Sequence, residues 1–204
     1  MKPTLPFYIL AGLALNITPI TAQQSNLPPP PPGLFTIQSS ILIPNTTVSA
    51  AWTALTNLPA YASWNPFVRA AIVVSALPLN LTLPKQYPVV GANIYFRTQM
   101  PPLPFPVDEN TPDNPLNTQA SYEEIVVVDR KRGLLAWKYV PEELLQAQRW
   151  QSVSEYEGGV WYESREVFDG VLAPVVRESF EEGLQKGFEA QAEGLRRLLT
   201  GGAL

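Results

Sequence analysis

Residues 39–69 read SSILIPNTTVSAAWTALTNLPAYASWNPFVR, and three prolines cut this stretch into different kinds of backbone. Up to Pro44, Phe35, Ile37, Ser39, Ile41 and Ile43 alternate with Thr36, Gln38 and Ser40, the period of a strand with one buried face. Pro44 stops the strand. Asn45, Thr46 and Thr47 then offer helix-capping side chains, and Val48, Trp52 and Leu55 follow at helical spacing. Pro59 ends that helix, and residues 59–64 predict a second short helical turn. Pro66 pushes Asn65 toward extended geometry and launches a strand over residues 67–76. Tyr61, Trp64 and Phe67 therefore sit where prolines forbid one long helix, with Arg69 the single charge nearby.

Outward from this stretch, further strands are predicted over residues 93–100, 120–129, 134–140, 147–156 and 160–168. Residues 130–133 (RKRG) and 157–159 (EGG) have turn composition and predict hairpins. Residues 77–91 and the proline-dense residues 100–117 read as irregular connections. The last segment is an amphipathic helix: Val176, Phe180, Leu184 and Phe188 fall four apart, continued by Ala192, Leu195 and Leu199. Gly183 and Gly187 lie beside that stripe, each costing about 1 kcal/mol against alanine. Glycine there implies a close approach, by a strand or by a bound molecule. The element order predicts an α+β domain, an antiparallel sheet of about seven strands with its helices on one face.

The 204 residues suffice for one domain with a complete core. A formal net charge of −4 and the absence of a large basic cluster argue against nucleic acid as a partner. Histidine and cysteine are both absent, which removes Cys or His metal sites, thiol nucleophiles, Ser-His-Asp triads and disulfides. No metal and no cofactor is expected. Acid-base chemistry is left to Asp, Glu, Tyr, Lys and Arg.

Lys2, the apolar run of residues 7–15 and the small residues Thr21 and Ala22 form the pattern of a secretory signal peptide over residues 1–22. The apolar run is too short for a stable membrane span. Asn45 and Asn80 each begin an Asn-X-Thr sequon, usable as glycan acceptors on a secretory or extracellular route. Residues 23–33, with five consecutive prolines, read as a stiff polyproline spacer ahead of a domain over residues 34–200.

The chain resembles the START-like superfamily, the helix-grip fold of polyketide cyclase/dehydrase and lipid-transport domains. The resemblance rests on residues 39–69, on AQRWQSVSEYEGGVWYESREVFDG (147–170) and on GLQKGFEAQAEGLRRLL (183–199). It implies a curved sheet gripping the C-terminal helix, with Tyr61 and Trp64 plugging one end and Phe67 pointing inward toward a cavity for a hydrophobic small molecule. The loop at residues 100–117 and the leader depart from the simplest members.

Strand alternation nominates the cavity wall. Lys138 facing water leaves Leu135, Trp137 and Tyr139 inside. For residues 160–168 one parity turns Val160, Tyr162, Ser164, Glu166 and Phe168 inward and the other Trp161, Glu163, Arg165 and Val167. Both are half apolar; the first ends in Phe168 before the turn and is taken. Ligand contacts are thus expected from Trp64, Phe67, Arg97, Trp137, Arg149, Gln151, Phe168, Phe180, Leu184 and Phe188. For the two arginines and Gln151 the solvated outer face is the alternative. The family's cyclases imply an enzyme that folds its substrate by shape, with Tyr139 or Tyr162 donating a hydrogen bond and Glu166 acting as base. The alternative is a carrier of a lipid, sterol or similar apolar metabolite, with residues 100–117 as a loop over the mouth.

Overall fold

The computed structural model describes residues 24–76 and 78–202. The elements run β1 (Phe35–Pro44), α1 (Val48–Thr56), a 3-10 helix (Leu58–Ser63), β2 (Val68–Val74), β3 (Asn93–Gln99), a 3-10 turn (Pro115–Asn117), β4 (Thr118–Asp129), β5 (Leu134–Tyr139), β6 (Gln146–Tyr156), β7 (Gly159–Asp169) and α2 (Ala173–Thr200). The strands form one antiparallel sheet in the order β1-β7-β6-β5-β4-β3-β2, so the first two strands are its edges. Register shifts at Ile125/Val127 and Val68/Ala70 mark bulges, which help the sheet curve around α2. This is a helix-grip fold.

The stretch between β1 and β2 forms as its prolines dictate. The Thr47 hydroxyl caps α1 by accepting from the Ala50 amide at 3.2 Å. Trp64 packs edge-on against Tyr61 at 5.0 Å, and the Tyr61 hydroxyl donates to the Leu55 carbonyl at 2.6 Å. The Asn65 carboxamide oxygen accepts from the amides of Phe67 and Val68, both at 2.9 Å, fixing the turn into β2. Both rings are about 1% exposed and plug the end of the sheet beside the C-terminal half of α2.

Two glycines of α2 make this plug possible. A methyl group at Gly187 would lie 2.4 Å from the Phe67 ring, and one at Gly194 would lie 2.4 Å from the Trp64 carbonyl oxygen. Close helix packing, not a bound molecule, therefore accounts for Gly187. Gly183 faces the Met100 side chain, where a methyl would stand 3.3 Å away.

Arg69 has a structural task. Only 3% exposed, it donates to the carbonyls of Ala62, Asn65 (3.2 Å), Asp108 (2.8 Å) and Thr111 (3.0 Å) and pairs with Asp113. Arg97 grips the other carboxylate oxygen of Asp113 at 2.6 Å. The proline-dense loop is thereby pinned to the plugged end of the sheet, and only Met100 reaches the cavity described below. That corrects the expectation of a loop covering the mouth.

The expected spacer is also docked. The Asn26 amide donates to Glu163 at 2.9 Å, its side chain to Ser152 at 2.8 Å, and Arg165 donates to the Pro28 carbonyl. Residues 26–28 are thereby held against β6 and β7, and the prolines that follow, 29–32, are exposed. The expected leader, residues 1–22, lies outside the described residues.

Gly194→Ala tests the plug. Alanine gains about 1 kcal/mol of helix propensity, but its methyl meets a backbone carbonyl that cannot swing away, at a cost of roughly 1–3 kcal/mol. The expected outcome in urea denaturation is a lower midpoint with an unchanged slope.

Candidate functional site

The plug holds one half of α2 close to the sheet, and a cavity opens under the other half. It encloses about 180 Å³ between Val176, Phe180 and Leu184 of α2 and the inner faces of β2 to β7. Phe67, Phe96, Trp137, Leu145, Ala147 and Phe168 supply most of the apolar wall. Phe96 and Trp137 pack at 5.1 Å between ring centroids. Half-buried Val176, Phe180, Met100 and Tyr139 stand around the mouth.

Three charge-bearing side chains line this space: Glu123 from β4, Arg149 from β6 and Glu166 from β7. Arg149 is 4% exposed, and its guanidinium lies 3.7 Å from the centroid of the Phe188 ring. It donates to the Ser164 hydroxyl at 3.0 Å and to Gln191 of α2 at 3.2 Å, not to a carboxylate. Glu123 accepts one hydrogen bond, from Ser121 at 3.0 Å, while its Oε2 is buried without a partner. Glu166, 7% exposed, faces Arg149 across the β6–β7 ladder. Burial, foremost, and the neighbouring Glu123 charge push Glu166 up to about 8; burial pushes Glu123 up to about 7. Arg149 opposes both shifts without cancelling them.

Behind Arg149 lies a second polar layer. The Tyr162 hydroxyl donates to Gln151 at 2.6 Å, and the Gln191 amide donates to the same Gln151 oxygen at 2.8 Å. Tyr162 and Gln151 are 0% exposed, and burial pushes the Tyr162 hydroxyl above its ordinary value. The layer ties α2 to β6 and β7.

Of the expected site residues, Phe67, Trp137, Tyr139, Arg149, Glu166, Phe168, Phe180 and Leu184 lie in the cavity wall. The inward parity taken for residues 160–168 is the observed one, and Lys138 faces outward to Glu124 and Glu142. Five expected contacts lie elsewhere. Arg97 points away and holds Asp113, because Phe96 and Thr98 take the inward positions of β3. Trp64 is consumed by the plug, Gln151 and Tyr162 by the second layer, and Phe188 lies beneath the Arg149 guanidinium. Tyr162 thus braces this layer and does not line the cavity. Glu123 was not anticipated: Glu123 and Glu124 are adjacent, so alternation alone assigns either to the inside. Gln191, a polar residue within a helical face that packs on the sheet, was equally hidden.

No group of three or more His, Cys, Asp or Glu placed to hold a metal occurs among the described residues. No helix among them is long and apolar enough to cross a membrane.

No protein-family model matches the chain, and no curated protein is detectably similar to it in sequence. Solved structures share the fold. A hypothetical protein from Helicobacter pylori is 12% identical with a TM-score of 0.63, covering 88% of this chain and 99% of its own. A protein from Thermus thermophilus is 9% identical with a TM-score of 0.56, covering 81% and 97%. A protein from Nitrosomonas europaea is 15% identical with a TM-score of 0.53, covering 81% and 94%. At such identity the likeness is one of fold, which hosts catalysts and carriers alike.

The raised carboxyls carry a stability consequence. Each holds its proton more tightly in the fold than in the unfolded chain. Their contribution is therefore full below the ordinary carboxylate range and lost as pH rises through about 7 for Glu123 and about 8 for Glu166. Glu166→Gln is neutral at every pH. The expected outcome is a urea midpoint close to that of the parent near about pH 4 and clearly higher near about pH 9.

Proposed function

We propose that the protein binds a small apolar molecule in the cavity between α2 and the curved sheet and carries it unchanged. One observation supports this above the others: the wall is mostly aromatic and aliphatic, with a minority of polar groups such as Glu123, Arg149 and Glu166 among them, which is how small-molecule sites combine affinity with orientation. The volume is below the roughly 300–1,000 Å³ typical of drug-sized guests, so the ligand is small or enters with one end only. Mass spectrometry of molecules that copurify with the protein identifies the guest. Ala147→Phe, which fills the space from its floor, is expected to weaken that guest's binding at least about tenfold while the far-ultraviolet circular dichroism is preserved. Unweakened binding in a folded Ala147→Phe variant rules the cavity out.

A second reading is a cofactor-independent enzyme of the polyketide cyclase/dehydratase type. It is favoured by Glu166, a carboxyl in the wall whose proton affinity suits general acid-base work near neutral pH, with Tyr139 in the same wall. Conversion of the copurified guest by the parent, and its loss in Glu166→Gln, would replace the carrier reading with this one.

We further propose that residues 1–22 are a leader that sends the domain into the secretory route. Asn45, exposed where β1 ends, is well placed to carry a glycan, whereas Asn80 is half-buried. Expression in a eukaryotic secretory host is expected to yield medium-borne protein that starts after residue 22 and loses mass on glycosidase treatment. An unprocessed, glycan-free chain retained in the cells counts against this route.

A further inference from the structure

We propose that the cavity selects an apolar molecule bearing a protonated amine, its ammonium seated between Glu123 and Glu166. The inference rests on the binding reading above and names the chemical class of the guest. Its basis is which polar capacity in the wall is used and which is not. Two of the three Arg149 nitrogens are occupied by Ser164 and Gln191, and the face of the guanidinium lies on Phe188. The carboxyls are the reverse case. Glu166 lines the cavity at 7% exposure with no hydrogen bond or ion pair among the described residues, and Glu123 Oε2 is buried with none. What the two carboxyls lack is donors, and an ammonium is donors only.

Charge counting agrees. With both carboxyls ionised, they and Arg149 sum to one net negative charge inside a largely apolar wall, which a single cation neutralises. An empty cavity reaches the same balance by holding one proton on the pair, consistent with the raised proton affinity of both groups. Ammonium and proton therefore compete: as the amine enters, the pair releases a proton to solvent. The other titratable or charged side chains facing the pair are Arg149 from β6 and Tyr139 from β5; β2, β3 and α2 contribute neutral side chains to the wall. A carboxylate guest would add a third anion beside the two carboxyls, and an alcohol would satisfy only one of the acceptors.

The test is calorimetric titration of the full chain with octylamine, octanol and octanoate, near about pH 6 and about pH 8.5, the range over which the pair ionises and an alkylamine stays charged. Octylamine is expected to bind at least about tenfold tighter than octanol at the higher pH. That preference shrinks at the lower pH, and buffers of different ionisation heat reveal proton release on binding. Glu166→Gln and Glu123→Gln each bring octylamine down toward octanol. Octanoate binding tightest, or three equal and pH-independent affinities, overturns the amine proposal and leaves the cavity reading standing. Binding of none of the three removes both.

Discussion

The closeness of α2 to the plugged end of the sheet is the constraint on which the structure depends. Glycine at positions 187 and 194 lets the Phe67 ring and the Trp64 backbone come nearer than any side chain would allow. One half of the helix is drawn down onto aromatic packing, while Val176, Phe180 and Leu184 in the other half stand over open space. Interiors pack at crystal-like density, so an internal space of this kind persists only where rigid elements hold its walls apart. Here the plug is a fulcrum, and the curved sheet supplies the opposite wall.

The buried polar groups divide into those that hold the helix and those that face the cavity. Gln191, Gln151, Tyr162 and Ser164 bond one another and the Arg149 guanidinium, which tethers α2 to β6 and β7 at a fixed register. Glu123 and Glu166, by contrast, line the cavity with acceptor capacity unused. Such groups reduce stability when ionised and contribute nothing to the fold that an apolar residue would not supply better. Their position beside a cavity is the reason to read them as functional.

Much of the architecture was legible from local rules. Proline placement marked the strand, helix and turn of residues 39–69, and four-residue spacing marked α2, because both signals act over a few residues and need no partner. The site was legible only in part. In β4 and β7 a glutamate occurs in each of the two alternating sets, so the inward set depended on which neighbouring strand lay where. Arg97 and Arg149 look alike in sequence, yet one grips Asp113 on the outside and the other is enclosed by Phe67, Trp137 and Phe188.

By itself the sequence determined the order and kind of the elements and, through the absence of histidine and cysteine, the narrow range of chemistry open to the chain. Those are properties of composition and short-range spacing. Only the tertiary structure decided that Gly187 serves packing, that Asn26 and Pro28 ahead of the domain bond to the sheet, and that two glutamates distant in sequence share one apolar space. Each of these depends on contacts between residues far apart in the chain, and sheet curvature and helix tilt set those contacts.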